Sequence, residues 1–263
     1  MNIRQALTAD FGIDVLVEHG SGQVDDPFVI EACSARDATR TQLNLLRGLG
    51  RGRQELWRLV QAGTASEIGP AVQRLRIEAI SFTKNEVISE TRSVYFDVGR
   101  VDGAPDASAP FIEWADPRAA FSAISQIGWL HFDGGIDNSQ DGGALDTSLI
   151  YSGAGAKATL YVYGCAVRSS HHLSPSERRT EELRSVSNQV LAAHANAEMP
   201  WQAHLVEPFA LQHFLIGEDM SVAGVAVLGA HCLKLRLTYF DDLRMRELMG
   251  DTIRELARLA LKS

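Results

Sequence analysis

Within the run from Val72 to Phe82, residues 74–79 alternate, with Leu75, Ile77 and Ala79 on one side and Arg74, Arg76 and Glu78 on the other. A period of two with one apolar and one charged side is the pattern of an antiparallel strand with one face on a core and the other in water. Such a strand commits the chain to a sheet and to a second layer that covers its apolar side. Runs on either side, Glu55 to Gln61 and Glu86 to Val98, read as its neighbours.

The covering layer is predicted just upstream. Ser34 followed by Asp37 reads as an N-cap with a carboxylate in the first helical turn, where it meets amide donors that lack partners. Leu45, Leu46 and Leu49 fall on one side of that helix and face the sheet. Its end is expected near Gly48, because Gly48, Gly50 and Gly52 would each cost about 1 kcal/mol relative to Ala in a helix interior. Gly12 to Glu18 and Phe28 to Cys33 read as two further strands. Asp116-Pro117 is expected to open a short helix through Ile124, with proline at a position where its missing N–H costs nothing.

Gly99 to Pro110 is rich in Gly, Pro, Asp, Ser and Ala and reads as a linker. It divides the chain into an N-terminal α+β lobe, residues 1–105, and a C-terminal one, residues 106–263. In the second lobe Trp129 to Phe132, Leu149 to Tyr151 and Ala158 to Tyr163 read as strands. Ser174-Pro175-Ser176-Glu177 is a capping box, and Leu183, Val186, Val190 and Leu191 give the helix after it an apolar stripe. Strands near Ala203 to Ile216, Val222 to Leu228 and Cys232 to Tyr239 follow, then a helix from Asp241 with Met245, Leu248, Met249, Ile253, Leu256 and Ala260 on one face. The fold class is therefore α+β, as two tandem α/β sandwich lobes, each an antiparallel sheet packed by helices. Arg74-Leu-Arg-Ile and Lys234-Leu-Arg-Leu are expected in corresponding places of a duplicated plan.

The segments Ala156-Lys-Ala-Thr-Leu-Tyr-Val-Tyr163 and Cys232-Leu-Lys-Leu-Arg-Leu-Thr-Tyr-Phe-Asp-Asp242, with a helix between and another after, resemble the PsbP-like/DcrB-like α/β sandwich. The resemblance covers roughly Trp129 to Lys262 and rests on element order and strand texture. It implies an antiparallel sheet backed by helices in a group mostly of binding and accessory modules, including bacterial chaperones of secreted effectors. It carries over no functional residue.

Of 263 residues, 45% are hydrophobic and 22% charged, which excludes wholesale disorder, collagen and a disulfide scaffold. The formal net charge is −8, which argues against a general nucleic-acid coat. Only Lys84, Lys157, Lys234 and Lys262 of the 25 basic residues are lysines. Met1 to Glu18 lacks a continuous apolar segment, so no secretory signal is expected. Met220 to Leu233 is too short to span a bilayer and reads as buried core. Cys33, Cys165 and Cys232 are odd in number and far apart; no disulfide framework or thiolate metal site is expected, and a cytoplasmic location fits.

Arg36, Arg40 and Arg47 share a narrow helical sector, and Arg51 and Arg53 follow in a glycine-rich tail. Backbone amides and guanidinium groups of such a tail suit a phosphate, a carboxylate or an acidic partner segment. The alternative is a solvated face, or arginines paired with Asp14, Glu18 and Glu31. Neither a Walker motif nor G-x-G-x-x-G accompanies the glycines. Cys33 beside a helix start and Arg36 is a weak nucleophile candidate, with His19 the histidine of its lobe. His131 and Asp133, with Asp137, are weak catalytic candidates. Asp137 to Gly143 has calcium-loop texture, with Asp137, Ser139, Asp141 and Gly142, but Ser148 stands where a bidentate glutamate belongs. His171 and His172 read as loop histidines; no spacing specifies a metal, and no cofactor is expected.

These observations favour a non-enzymatic binding or adaptor protein for an anionic small molecule or an acidic protein partner, in the manner of an effector chaperone or immunity protein. The alternative is an enzyme on an anionic substrate using Cys33 or the His131/Asp133 group. A structural subunit is the third reading, with exposed sheet edges pairing into a homo-oligomer.

Overall fold

The computed structural model describes residues 7–8, 15–83, 86–139, 144–164 and 173–262. The chain divides into two compact units, Met1–Phe111 and Ile112–Ser263. The break falls beyond the expected linker because that segment is packed onto the first unit. Ala107 is buried in its core, the Gln73 amide donates to the Pro105 carbonyl at 2.8 Å, and the Asp106 N–H donates to the Thr39 hydroxyl at 3.1 Å.

In the first unit β1 (Val17–His19), β2 (Phe28–Ile30), α1 (Ala35–Arg53), β3 (Glu55–Thr64), β4 (Val72–Phe82) and β5 (Val87–Asp97) form one helix-covered sheet of order β1-β2-β5-β4-β3. Leu75, Ile77 and Ala79 of β4 are buried as their alternation requires, in one core with Phe28, Leu45, Leu46 and Phe96. The β2–β5 seam is parallel, Phe28 opposite Phe96, while the remaining pairings of this sheet are antiparallel. A strand entering α1 and a parallel return after it make a helical crossover, which alternation within strands does not specify.

Ser34 caps α1, its hydroxyl accepting from the Asp37 N–H at 3.1 Å. The helix does not stop at Gly48. It continues to Arg53 and ends at Gln54, whose φ of 55° is left-handed and whose N–H turns back to the Arg51 and Gly50 carbonyls. Gly48 and Gly50 are packing positions. A Cβ on Gly48 would run into the Leu7 side chain, and one on Gly50 would sit 2.5 Å from the Trp57 indole. Close approach of helix to sheet outweighs the propensity cost. Polar pins fix the helix laterally: Gln42, fully buried, donates to Gln73 at 2.8 Å, and the Thr41 hydroxyl accepts the Leu16 N–H at 3.3 Å.

The second unit opens with a ribbon of β6 (Ile112–Trp114) and β7 (Ala123–Ile124). No helix forms from Asp116. Its carboxylate takes the Arg118 N–H at 2.8 Å and grips the Arg118 guanidinium, which makes a turn between the two strands. Then come β8 (Gln126–Ile127), β9 (Leu130–Asp137), β10 (Asp146–Gly153), β11 (Ala156–Gly164), α2 (Pro175–Ala193), β12 (His204–Val206), β13 (Phe209–Ile216), β14 (Asp219–Leu228), β15 (His231–Phe240) and α3 (Leu243–Ala260). The sheet is antiparallel, of order β12-β13-β14-β15-β11-β10-β9-β8.

The full capping box at Ser174 starts α2, which lays Leu183, Val186 and Val190 on Phe214, Ala223 and Val225. Helix α3 covers the other face, with Thr252, Ile253 and Leu256 beside Leu160, Leu235 and Leu237. Coverage on both faces explains why Met220 to Ala226 are buried without alternation. The α+β class with helix-packed sheets holds, but the expected internal correspondence does not. Arg74–Ile77 lies in the middle strand of its meander and Lys234–Leu237 in the last, and β15 joins β11 antiparallel where β5 joins β2 parallel. The cysteines also differ from expectation: Cys232 is disulfide-bonded and buried, whereas Cys33 is free and exposed. The argument for a reducing compartment from dispersed thiols therefore loses its basis.

Candidate functional site

At 100° per residue Arg36, Arg40, Arg47 and Arg51 fall within roughly a 60° sector of α1. Arg36 and Arg40 are exposed, and the Arg36 guanidinium lies 5.5 Å over the Phe111 ring. Arg47 and Arg51 are half-buried; burial first, then the Arg47 charge, lowers the Arg51 pKa. The expected glycine loop around an anion does not exist. Its amides belong to a helix, and the end it presents is the carbonyl end, whose partial negative charge suits Arg51 and Arg53 as compensating cations rather than an anion. Arg53 sits about 100° around the helix from Arg36 and faces elsewhere.

The other sequence candidates do not assemble. Cys33 is exposed next to the Ser34 cap. His19 pairs with Val29, while Ile30 pairs with Val17, so His19 is at the far end of the β1–β2 pair from Cys33. His131 is buried in β9 between Gln126 and Ser152. Asp133 is the extra residue where the β9–β10 register shifts, and it accepts the Ser152 hydroxyl. Asp137 lies six residues farther along the strand than His131, on the order of 20 Å, and takes the Ser139 N–H at 2.9 Å. Ser148 is buried and holds the Asn138 amide at 3.0 Å. Asp141, Gly142, Gly143, Cys165, His171 and His172 lie outside the described residues. Among the described residues no group of three or more His, Cys, Asp or Glu is placed to hold a metal.

What the first unit does contain is a cavity of about 290 Å³ between the C-terminal half of α1 and the sheet. Phe28, Leu46, Leu49, Trp57, Ile77 and Val94 form the apolar part of its lining, and polar atoms make up the larger share of the surface it exposes. Arg53, Glu55 and Arg92 supply the charges, with Ser21 and Ser93 beside them. Glu55 and Arg92 are ion-paired, and Glu55 also accepts the Ser81 hydroxyl at 3.3 Å. Burial pushes the Glu55 carboxyl up, against lowering by Arg53 and Ser81, with Glu90 pushing it further up. Arg92 also reaches Glu90 at 2.6 Å. Arg53 is exposed, so a full positive charge borders a recess of mixed apolar and polar lining.

The second unit carries a separate assembly that sequence reading missed. His204 of β12 stacks on His213 of β13, centroids 5.1 Å apart and planes 11° apart. Trp201 meets His213 edge to face at 5.0 Å, and the Arg246 guanidinium lies 5.2 Å from the Trp201 ring. Asp241 holds Arg246 in a two-pronged pair of 2.6 and 2.5 Å. The His213 Nδ1 is buried with no hydrogen-bond partner. Burial first, then His204 and Arg246, pulls the His213 pKa down to about 4.

No helix among the described residues is long and apolar enough to cross a membrane. No family model matches the chain, and no curated protein matches it. Among solved structures the chain is similar to one described as "Crystal structure of MucB in complex with MucA(peri)", at 10% identity and a TM-score of 0.22, over 76% of this chain and 65% of that one. The chain thus spans less than two thirds of that structure's length, and a likeness of this size carries no argument about fold or function.

Proposed function

We propose that this is a non-enzymatic binding protein whose first unit takes a small amphipathic anion. The cavity carries the reading: an apolar part from Leu46, Leu49 and Ile77 meets Arg53, and the Glu55–Arg92 pair completes a lining that is polar over its larger share. An alkyl or aryl carboxylate matches both parts, its tail against Leu46, Leu49 and Ile77 and its head on Arg53. A guanidinium suits that head because it offers paired donors to a planar carboxylate. The dispersal of Cys33, His131 and Asp133 favours binding over catalysis, and the PsbP-like resemblance of the second half points to accessory modules. A second reading, an acidic protein partner on α1, rests on the exposure of Arg36 and Arg40.

Calorimetric titration with octanoate and phenylpropionate, beside their neutral amides, tests the first reading. The acids bind and the amides do not, and Arg53→Gln weakens the acids by roughly tenfold, the equivalent of ~1.4 kcal/mol. Equal binding of acid and amide, or an unchanged affinity in Arg53→Gln, defeats it.

A further inference from the structure

The edge of the second unit's sheet is attached in an unusual way. Glu198 exchanges backbone hydrogen bonds with Leu215 at 2.9 and 2.8 Å, and His204 to Val206 pair with Phe209 to Leu211. Residues 199–203 between those anchors bulge from the ladder, because Glu198 opposite Leu215 and His204 opposite Leu211 leave two more residues on the outer side. Three contacts hold the bulge down, all through Trp201. Its carbonyl accepts the Gln212 amide at 2.8 Å, its ring abuts His213, and Arg246 covers it. Met199, Trp201 and Leu205 are nevertheless exposed, so little apolar burial secures this stretch.

We infer that the Trp201–His213–His204 stack is an acid-released latch, which holds residues 199–203 against β13 while His213 is neutral and frees them when it gains a proton. The groups that face His213 decide the sign. From β12 comes His204, in ring contact; from α3 comes Arg246, a permanent cation. Asp241 is engaged by Arg246 in its two-pronged pair, and Tyr239 of β15, held up at about 12 chiefly by burial, stays neutral throughout. A proton on His213 thus arrives beside one cation and one titratable imidazole, with no hydrogen-bond acceptor at Nδ1. Swinging Trp201 outward lets water reach the imidazolium and screen it from Arg246, which Asp241 keeps in place. The latched form is favoured above the ordinary histidine pKa near 6.5 and loses ground as pH falls toward the depressed value.

The test uses the full chain labelled with 5-fluorotryptophan and followed by fluorine NMR, the Trp201 signal being assigned with Trp201→Phe. As pH falls from about 7.5 to 4.5, a second Trp201 signal should grow by up to about tenfold per pH unit relative to the first. Unmoved signals from Trp57, Trp114 and Trp129 show that the fold is intact. His213→Phe keeps the ring and removes the titrating nitrogens, so it should show one Trp201 signal at every pH. His213→Gln serves as the second uncharged variant if the first does not fold. A single Trp201 signal in the parent down to the lowest pH, or a transition that survives in a folded His213 variant, overturns the latch.

Discussion

Gly50→Ala separates two opposed physical effects at one atom. On helix propensity alone the change stabilises by about 1 kcal/mol, since alanine lacks the backbone entropy that glycine loses. The structure reverses that sign. An added Cβ stands 2.5 Å from the Trp57 Cδ1 and 2.6 Å from its Nε1, and Trp57 is only 2% exposed. The indole is a rigid plate in a packed core, so helix and sheet must part or the ring must leave its rotamer, at about 1–3 kcal/mol. The net is a loss of up to about 2 kcal/mol, up to about 1 M in a urea midpoint at a typical slope. Gly48→Ala is the comparison, because its added Cβ meets the Cδ end of Leu7, a buried side chain with more rotamers than an indole plate. Urea unfolding followed by tryptophan fluorescence should therefore place Gly50→Ala below both the parent and Gly48→Ala. A Gly50→Ala midpoint above the parent would refute the claim that α1 tolerates its glycines for packing.

Glu55→Gln tests the buried carboxyl. With its folded pKa raised, Glu55 favours folding most below its unfolded value, and that contribution is lost as pH rises through the folded value. Relative to the parent, Glu55→Gln should therefore gain stability as pH rises from 4 to 7 in urea melts. Gln73→Leu takes away the acceptor of the buried Gln42 amide and should cost about 1–3 kcal/mol; adding Gln42→Leu should recover part of it, a non-additivity that a double-mutant cycle reads directly. Ser174→Ala removes the hydroxyl half of the α2 capping box, leaves the backbone N–H of residue 174 on the Glu177 carboxylate, and should cost about 1 kcal/mol by the same melts.

The elements that sequence defined well are those fixed by local periodicity or by a cap. The alternation of β4, the Ser34 and Ser174 caps and the α3 stripe each state their own structure within about a dozen residues. The misreadings share one cause, a distant partner that overrides a local preference. Gly50 in isolation reads as a helix end, and only Trp57 across the interface shows why it is helical. Asp116-Pro117 reads as a helix start, yet its carboxylate is committed to Arg118 while Ile112 and Ile124 pair around it. The parallel β2–β5 seam joins segments more than sixty residues apart.

Site residues are harder to read because clustering along the chain is not clustering in space. The arginine stripe on α1 is dense in sequence, but in the fold Arg53 alone of the expected five borders the cavity. A better signal was present: a charged or titratable residue in phase with the buried side of a strand. Arg92 shares a phase with Val94 and Phe96, and His213 with Phe209 and Leu211. An ionisable group at such a position must find a counter-charge, lose its own charge or line a recess. Arg92 takes the first course with Glu55 and the third at the cavity, and His213 takes the second beside His204. Polar residues out of place on an otherwise apolar strand face therefore point to the cavity and to the histidine stack, while the conspicuous charge run of α1 reaches the cavity only through Arg53.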